Sequence, residues 1–531
     1  MRDVNTDLKA VTEHRTTLGI ELGSTRIKAV LIGPHRQALA SGSFAWRSSF
    51  ENEIWSYEVD LVWEGLRGAY ASLNADVRRR FGVDLPGVGA LGVSAMQHGY
   101  LALGADGELL VPLRTWQNTM TGQAAGELTQ LFGQNIPQRW SVAHLYQAVL
   151  GNESHVPEIA HLTTLAGYVH WKLSDQRVLG TCDASGIFPL DPTTRSYDTE
   201  LLERFDGLVA DHELPWRLAD LLPGILPAGH KAGELTEDGA RLLDPSGALR
   251  PGTPLAPPEG DGGTGMVATN SVAPRTANIS AGTSIFAMVV LEGPLRSVHH
   301  EIDVFATPAG DPVAMTHCNN GALDLESWMN LFGEVTSAIG ADVEPDKLFE
   351  VLYRTALTAD PDGGGMLAYN YLAGEHIVGL EAGRPLFVRT PTSNFTLANF
   401  MRTHLFSLFG ALRTGMDVLR EEGVRIDSLF AHGGIFRTRG VAQTLLAAAM
   451  ESPVSVSEDA GEGGAWGMAL LASFMLDESG ATLAEWLSQD VFADAPIATI
   501  TPSQADVEGF RLFMERYRAG LAVERVAVEA L

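Results

Sequence analysis

Cysteine is nearly absent: the 531 residues contain only Cys182 and Cys318, far apart and without any C-x-x-C. Neither a disulfide framework nor a thiolate zinc site is indicated. No His/Asp/Glu spacing resembles a zinc site either, and His299-His300 reads as a surface turn. Positive charge is also scarce. Lysine and arginine number 37 against 65 aspartates and glutamates, a formal net charge of −28. The far field of such a chain repels nucleic acid and acidic membrane surfaces, so neither is expected as a partner. There is no apolar run of about 18 residues, hence no expected membrane span. The N-terminal MRDVNTDLKAVTEHRTT lacks the apolar centre of a secretion signal. Together these absences fit a reduced, cytoplasmic residence. The phosphate-binding pattern G-x-x-x-x-G-K-[ST] is missing too, which argues against a P-loop enzyme.

What the chain does contain is alternation of strand-like and helix-like segments. After a polar leader (1–16), TLGIELGSTRIKAVLI at 17–32 reads as two strands joined at Gly23-Ser24-Thr25. A helix is expected over Leu61–Arg80 and a strand over Val88–Ser94, and the region 120–250 reads as mainly helical. IELGSTRIKAVL and ISAGTSIFAMVV align without a gap, Gly23 over Gly282 and Ser24-Thr25 over Thr283-Ser284. Such an internal match points to two related halves that each begin with the same hairpin. The boundary falls near 273, giving domains 17–273 and 274–531. The second half should carry a helix over Asn399–Glu422, a strand over Ser428–Ala431, a helix over Val441–Met450 and a final small-residue helix over Gly463–Leu476. The expected class is α/β.

Glycine-hydroxyl hairpin tips suit phosphate, because successive N–H groups and hydroxyls can donate to its oxygens. Two such tips facing one another across a cleft are able to hold a nucleotide's phosphates; two ordinary hairpins are the plainer reading. Glu21 offers a hard oxygen donor for a hydrated magnesium, and Lys28 reads as a solvated strand residue. Gly260–Gly265 (GDGGTG) satisfies G-x-G-x-x-G, but the residues before it are proline-rich rather than a buried strand, which disfavours a dinucleotide site. Asp261 within it is placed either to accept a proton from an attacking hydroxyl or to cap the following helix. Ser94–Tyr100 (SAMQHGY) sets Gln97 and His98 at a strand end, where α/β proteins bind ligands. A lone histidine there is more often structural. Trp116-Gln117-Asn118 supplies an aromatic face and amides, a combination suited to sugar hydroxyls.

These segments, in this order, resemble the FGGY carbohydrate kinases of the actin/Hsp70/hexokinase superfamily. The likeness runs from about 17 to 476 through GIELGSTRIKAVLI, SAMQHG with TWQN, CDASG…YD, GDGGTGM, ISAGTS, HGGIFRTRGVAQTLLAAAMESPV and EGGAWGMALLA. The resemblance implies two actin-like, ribonuclease H-like ATPase domains related by duplication, with a cleft between them. It implies ATP and Mg2+ as cofactors and a small sugar as substrate, a xylulose-like pentulose first; ribulose, fuculose, rhamnulose, a glycerol-like polyol and a weakly catalytic sensor stay open, as does a homodimer. By the same likeness Asp261 is the general base, and Glu21 with Asp261 serves the metal. Gly23, Ser24, Thr25, Gly282 and Thr283 contact phosphates, and Gly433, Gly434 and Thr438 lie beside the adenosine. Met96, Gln97, His98, Trp116, Asn118 and Asp261 contact the sugar. Two positions depart from the family pattern: Glu21 replaces an aspartate, and Trp116-Gln117-Asn118-Thr119-Met120 replaces W-x-D-x-R.

Overall fold

Apolar and β-branched residues on either side of a glycine-led turn make the first element a hairpin. The computed structural model describes residues 4–457 and 463–531. A helix α1 (Val4–Thr12) precedes the hairpin, so the stretch expected to be only a polar leader is partly built into the fold. Its Ala10 and Val11 are wholly buried, Val11 within the hydrophobic core that includes the first sheet, a small apolar face that the surrounding charges mask in the sequence. The hairpin strands are β1 (Thr17–Leu22) and β2 (Arg26–Ile32), followed by β3 (Ala38–Ala45), helix α2 (Val59–Phe81) and β4 (Ala90–Ala95). A short helix α3 (Thr181–Ser185), a two-residue strand β5 (Glu259–Gly260) and helix α4 (Asp261–Ala268) complete this part. The sheet order is β5-β4-β1-β2-β3, with β1 antiparallel to β2 and parallel to β4. In α2, Val62, Leu66, Ala69, Leu73 and Val77 recur at helical spacing and are all buried. Burying a side chain of the leucine or valine type contributes about 1.5–3 kcal/mol.

The second half opens on β6 (Thr276–Ala281) and β7 (Ile285–Val290), followed by α5 (Leu397–Glu421), β8 (Ser428–His432), α6 (Val441–Met450) and β9 (Val454–Ser457). β6 is antiparallel to β7 and parallel to β8, which is parallel to β9. The arrangement of β1, β2 and β4 is therefore repeated by β6, β7 and β8. The turns are similar but not identical: Gly23 N–H donates to the carbonyl three residues on, Arg26 (3.1 Å), and Gly282 N–H to the carbonyl two residues on, Ser284 (3.0 Å).

The chain divides into two compact units, Met1–Ala273 with Val304–Val313 and Ala460–Ala495, and Pro274–Asp303 with Ala314–Asp459 and Pro496–Leu531. The small-residue helix α7 (Gly463–Phe474) thus clusters with the first unit although it lies late in the chain. It packs directly on β1 and α4. A β-carbon at Gly19 would lie 2.1 Å from the Ala465 carbonyl oxygen, and one at Gly467 only 2.0 Å from that of Thr264. Among the described residues no helix is long and apolar enough to cross a membrane.

Candidate functional site

In the first unit β1, β4 and β5 run parallel and end together, bringing Glu21, Gln97 and Asp261 to one edge. Asp261 is the first residue of α4, and its Oδ1 accepts the Gln97 backbone N–H at 3.0 Å. Burial lifts its carboxyl above the usual aspartate range, opposed by N–H donation from Gln97 and Gly262. Burial likewise raises Glu21 to about 7; Lys28 opposes this and the neighbouring Asp261 adds to it. Asp261 is the first residue of the helix rather than its cap, a position that Gly260 holds. Gly260 of GDGGTG ends a strand of two residues, and Gly262, Gly263 and Gly265 lie inside α4 rather than in a loop ahead of it. That geometry removes the dinucleotide reading.

Glu21 and Asp261 offer hard carboxylate oxygens whose mutual repulsion a dication would relieve, and so fit magnesium. No cluster of three or more metal-type side chains exists among the described residues. A magnesium held by one or two carboxylates, with phosphate and water completing its shell, needs none.

The first hairpin tip has its carbonyls tied down: Gly23 O accepts Trp46 Nε1–H (2.6 Å), Ser24 O accepts the Tyr57 hydroxyl (2.6 Å) and Thr25 O accepts Trp46 N–H (3.2 Å). Among the described residues no protein acceptor takes the N–H of Ser24 or Thr25, which leaves them for an anion. Trp116 stands beside this tip, 39% exposed, its Nε1–H donating to Ser24 Oγ at 3.2 Å.

The remaining acceptor-side residues divide. His98 is buried in a left-handed backbone conformation, φ 71°, unusual for a residue with a β-carbon. Its ring lies over Trp140 at 6.1 Å, with Nδ1 3.4 Å from the Gly186 carbonyl. A carbonyl only accepts, so Nδ1 carries the proton and Nε2 is left as an acceptor. Burial and the nearby Arg139 hold the ring well below the ordinary histidine range, hence neutral. Gln97 donates its side-chain N–H to the Cys182 carbonyl at 3.1 Å. Two expectations shift from ligand to framework. Met96 is packed into the hydrophobic core. Asn118 is buried and committed to backbone: Nδ2 donates to Trp55 O and Thr115 O (2.9 Å each), while Oδ1 accepts Trp55 N–H (2.8 Å).

Behind Asp261 lie two carboxyls not singled out from the sequence. Asp183 in α3 accepts the Thr164 hydroxyl at 2.5 Å, and burial raises it to about 7. Glu259 Oε2 accepts the Asp183 N–H at 3.1 Å, and burial drives it well above the glutamate range. Asp183 stands in the CDASG stretch, a signal that was legible; Glu259 stands two residues before Asp261 with no motif of its own.

The second unit repeats the phosphate-type turn. Gly282 O accepts Ala322 N–H (2.9 Å) and Thr283 O accepts Gly321 N–H (2.8 Å). Among the described residues the N–H groups of Thr283 and Ser284 again lack a protein acceptor. Gly433 lies against the end of β6 at φ 116°, where a β-carbon would sit 2.1 Å from Ala281 O. The Gly433-Gly434 and Gly282-Thr283 turns are therefore neighbours. Thr438 is buried just ahead of α6.

Family models for the N-terminal and C-terminal domains of the FGGY family of carbohydrate kinases match residues 16–265 and 277–476. A xylulose kinase of Escherichia coli (strain K12) is 23% identical over 453 residues, covering 81% of this chain and 84% of that protein. Two crystal structures from Lactobacillus acidophilus, a ligand-bound xylulose kinase and a gluconate kinase, each share the fold. Each has a TM-score of 0.78 at 17% identity, over 96% of this chain and 99% of the other.

Proposed function

The chain belongs to the FGGY family of carbohydrate kinases, and from that premise we propose that it moves the γ-phosphoryl group of ATP to a hydroxyl of a ketose, a pentulose such as xylulose first. It is a phosphotransferase with an alcohol acceptor. The observation that carries the reading is Asp261, oriented by the Gln97 N–H at 3.0 Å with Glu21 beside it. Asp261 accepts the proton as the sugar oxygen forms its bond to the γ-phosphorus and the bond from phosphorus to the bridging oxygen breaks. Its raised affinity for a proton suits that role. Magnesium, when bound, offsets charge developing on the phosphoryl oxygens; Glu21 and Asp261 would hold it. The paired open amides of Ser24 and Thr25, and those of Thr283 and Ser284, suit phosphate oxygens. The neutral His98, with Nε2 as acceptor, and the Trp116 face suit a polyhydroxy acceptor.

The pentulose assignment leans on the named activity of the Escherichia coli relative. Because a gluconate kinase is an equally near structural neighbour, the acceptor panel must include gluconate. Xylulose, ribulose, fuculose, rhamnulose, glycerol and gluconate are offered with MgATP, and ADP release is followed. The expected result is turnover with a pentulose, reduced roughly 10²–10⁴-fold by Asp261→Asn with little change in acceptor KM. No acceptor-stimulated turnover with any member would sink the proposal.

A further inference from the structure

Gly464 is the second residue of α7 and is buried against the end of β1. A β-carbon there would lie 2.3 Å from Glu21 Oε1, 2.9 Å from Glu21 Cδ and 2.8 Å from Thr264 Oγ1. These distances are below any real β-carbon contact, so a side chain at 464 and the present position of the Glu21 carboxylate exclude one another. Nothing in the backbone demands glycine, because Gly464 is absent from the residues of positive φ. An alanine would fit that backbone and favour the helix by about 1 kcal/mol. The chain accepts a helix-weakening residue at a position where a methyl group would strike Glu21.

Charged and hydrogen-bonding groups surround that carboxylate. Lys28 stands opposite on β2, Asp261 on α4, and the Ala465 N–H donates to it from α7. A carboxylate pushed from residue 464 loses the Ala465 amide and moves relative to Asp261. We propose that Gly464 is a positioning residue whose missing side chain is the seat of the Glu21 carboxylate, so that the two residues function as one unit. The inference rests on the reading of Glu21 as a metal-side carboxylate. A shorter acid at 21 draws the carboxylate back by one methylene and vacates the seat.

Four proteins test it: the parent, Gly464→Ala, Glu21→Asp and the double variant, each followed by Tm and by Mg2+-dependent ADP release. In the parent background Gly464→Ala should lower kcat by about tenfold or more, raise the Mg2+ needed for half-maximal rate, leave acceptor KM within about twofold and lower Tm. In the Glu21→Asp background the same change should alter kcat by less than about twofold and raise Tm. Equal fold-changes and equal Tm shifts in the two backgrounds would overturn the pairing. If the parent shows no kinase turnover, the kinase reading fails, and the Tm cycle still decides the pairing by the same criterion. If Gly464→Ala alone does not fold, recovery of folded protein in the double variant supports the pairing, and failure to recover it overturns it.

Discussion

Asn118 spends both donors and its acceptor on the backbone of residues 55 and 115. An aspartate there would face two carbonyls with an oxygen that can only accept, so Asn118→Asp should destabilise more than Asn118→Ala. The alanine variant leaves the half-buried Trp55 N–H without its acceptor, a loss of about 1–3 kcal/mol. Chemical denaturation of the three proteins checks the order, and the acceptor preference of whatever remains folded should be unchanged. The candidate residues could be picked out in advance because amides, aromatics and carboxyls are chemically conspicuous. Which of them serve the framework could not, because the commitment of Asn118 to backbone and of Met96 to the core is set by what packs around them.

At the scale of elements, the two hairpins were legible because a glycine-led, hydroxyl-rich turn between apolar strands has one economical conformation. The neighbourhood of the turns was not. Gly433 packs on the end of β6 with φ 116°, and a β-carbon there would overlap Ala281 O at 2.1 Å. Gly433→Ala should therefore displace the Gly282-Thr283 turn and weaken ATP binding by roughly tenfold, the scale of a change of about 1.4 kcal/mol. Calorimetric titration with ATP should report this while acceptor binding stays as in the parent. The α4 glycines teach the same lesson. Their spacing mimics a loop, yet they lie within a helix, because helix identity there is set by close contact with α7 rather than by propensity.

For the whole molecule, the sites of strain are buried carboxyls. Glu21, Asp183 and Glu375 are each raised to about 7, in each case chiefly by burial. At these three groups the folded state binds more protons than the unfolded state from about pH 4 to 7, so the stability they contribute falls as pH rises through that window. The buried His144 and His170, held neutral by burial, work in the opposite sense. Relative to the ligand-free parent, Asp183→Asn should gain Tm as pH rises from about 5 to about 7.5, because it lacks the carboxyl whose contribution fades there. Differential scanning calorimetry of the two proteins across pH checks it. The sequence by itself determined the two-part α/β organisation and the hairpin pair. Those follow from local periodicity, turn chemistry and an internal repeat, all of which are short-range properties of the chain. Only the tertiary structure decided that α7 clusters with the first unit, that Asp183 and Glu259 lie behind Asp261, and that Glu21 occupies the space a side chain at 464 would fill. These depend on contacts between residues tens to hundreds of positions apart, and no local pattern encodes which distant backbone will come within a β-carbon's reach.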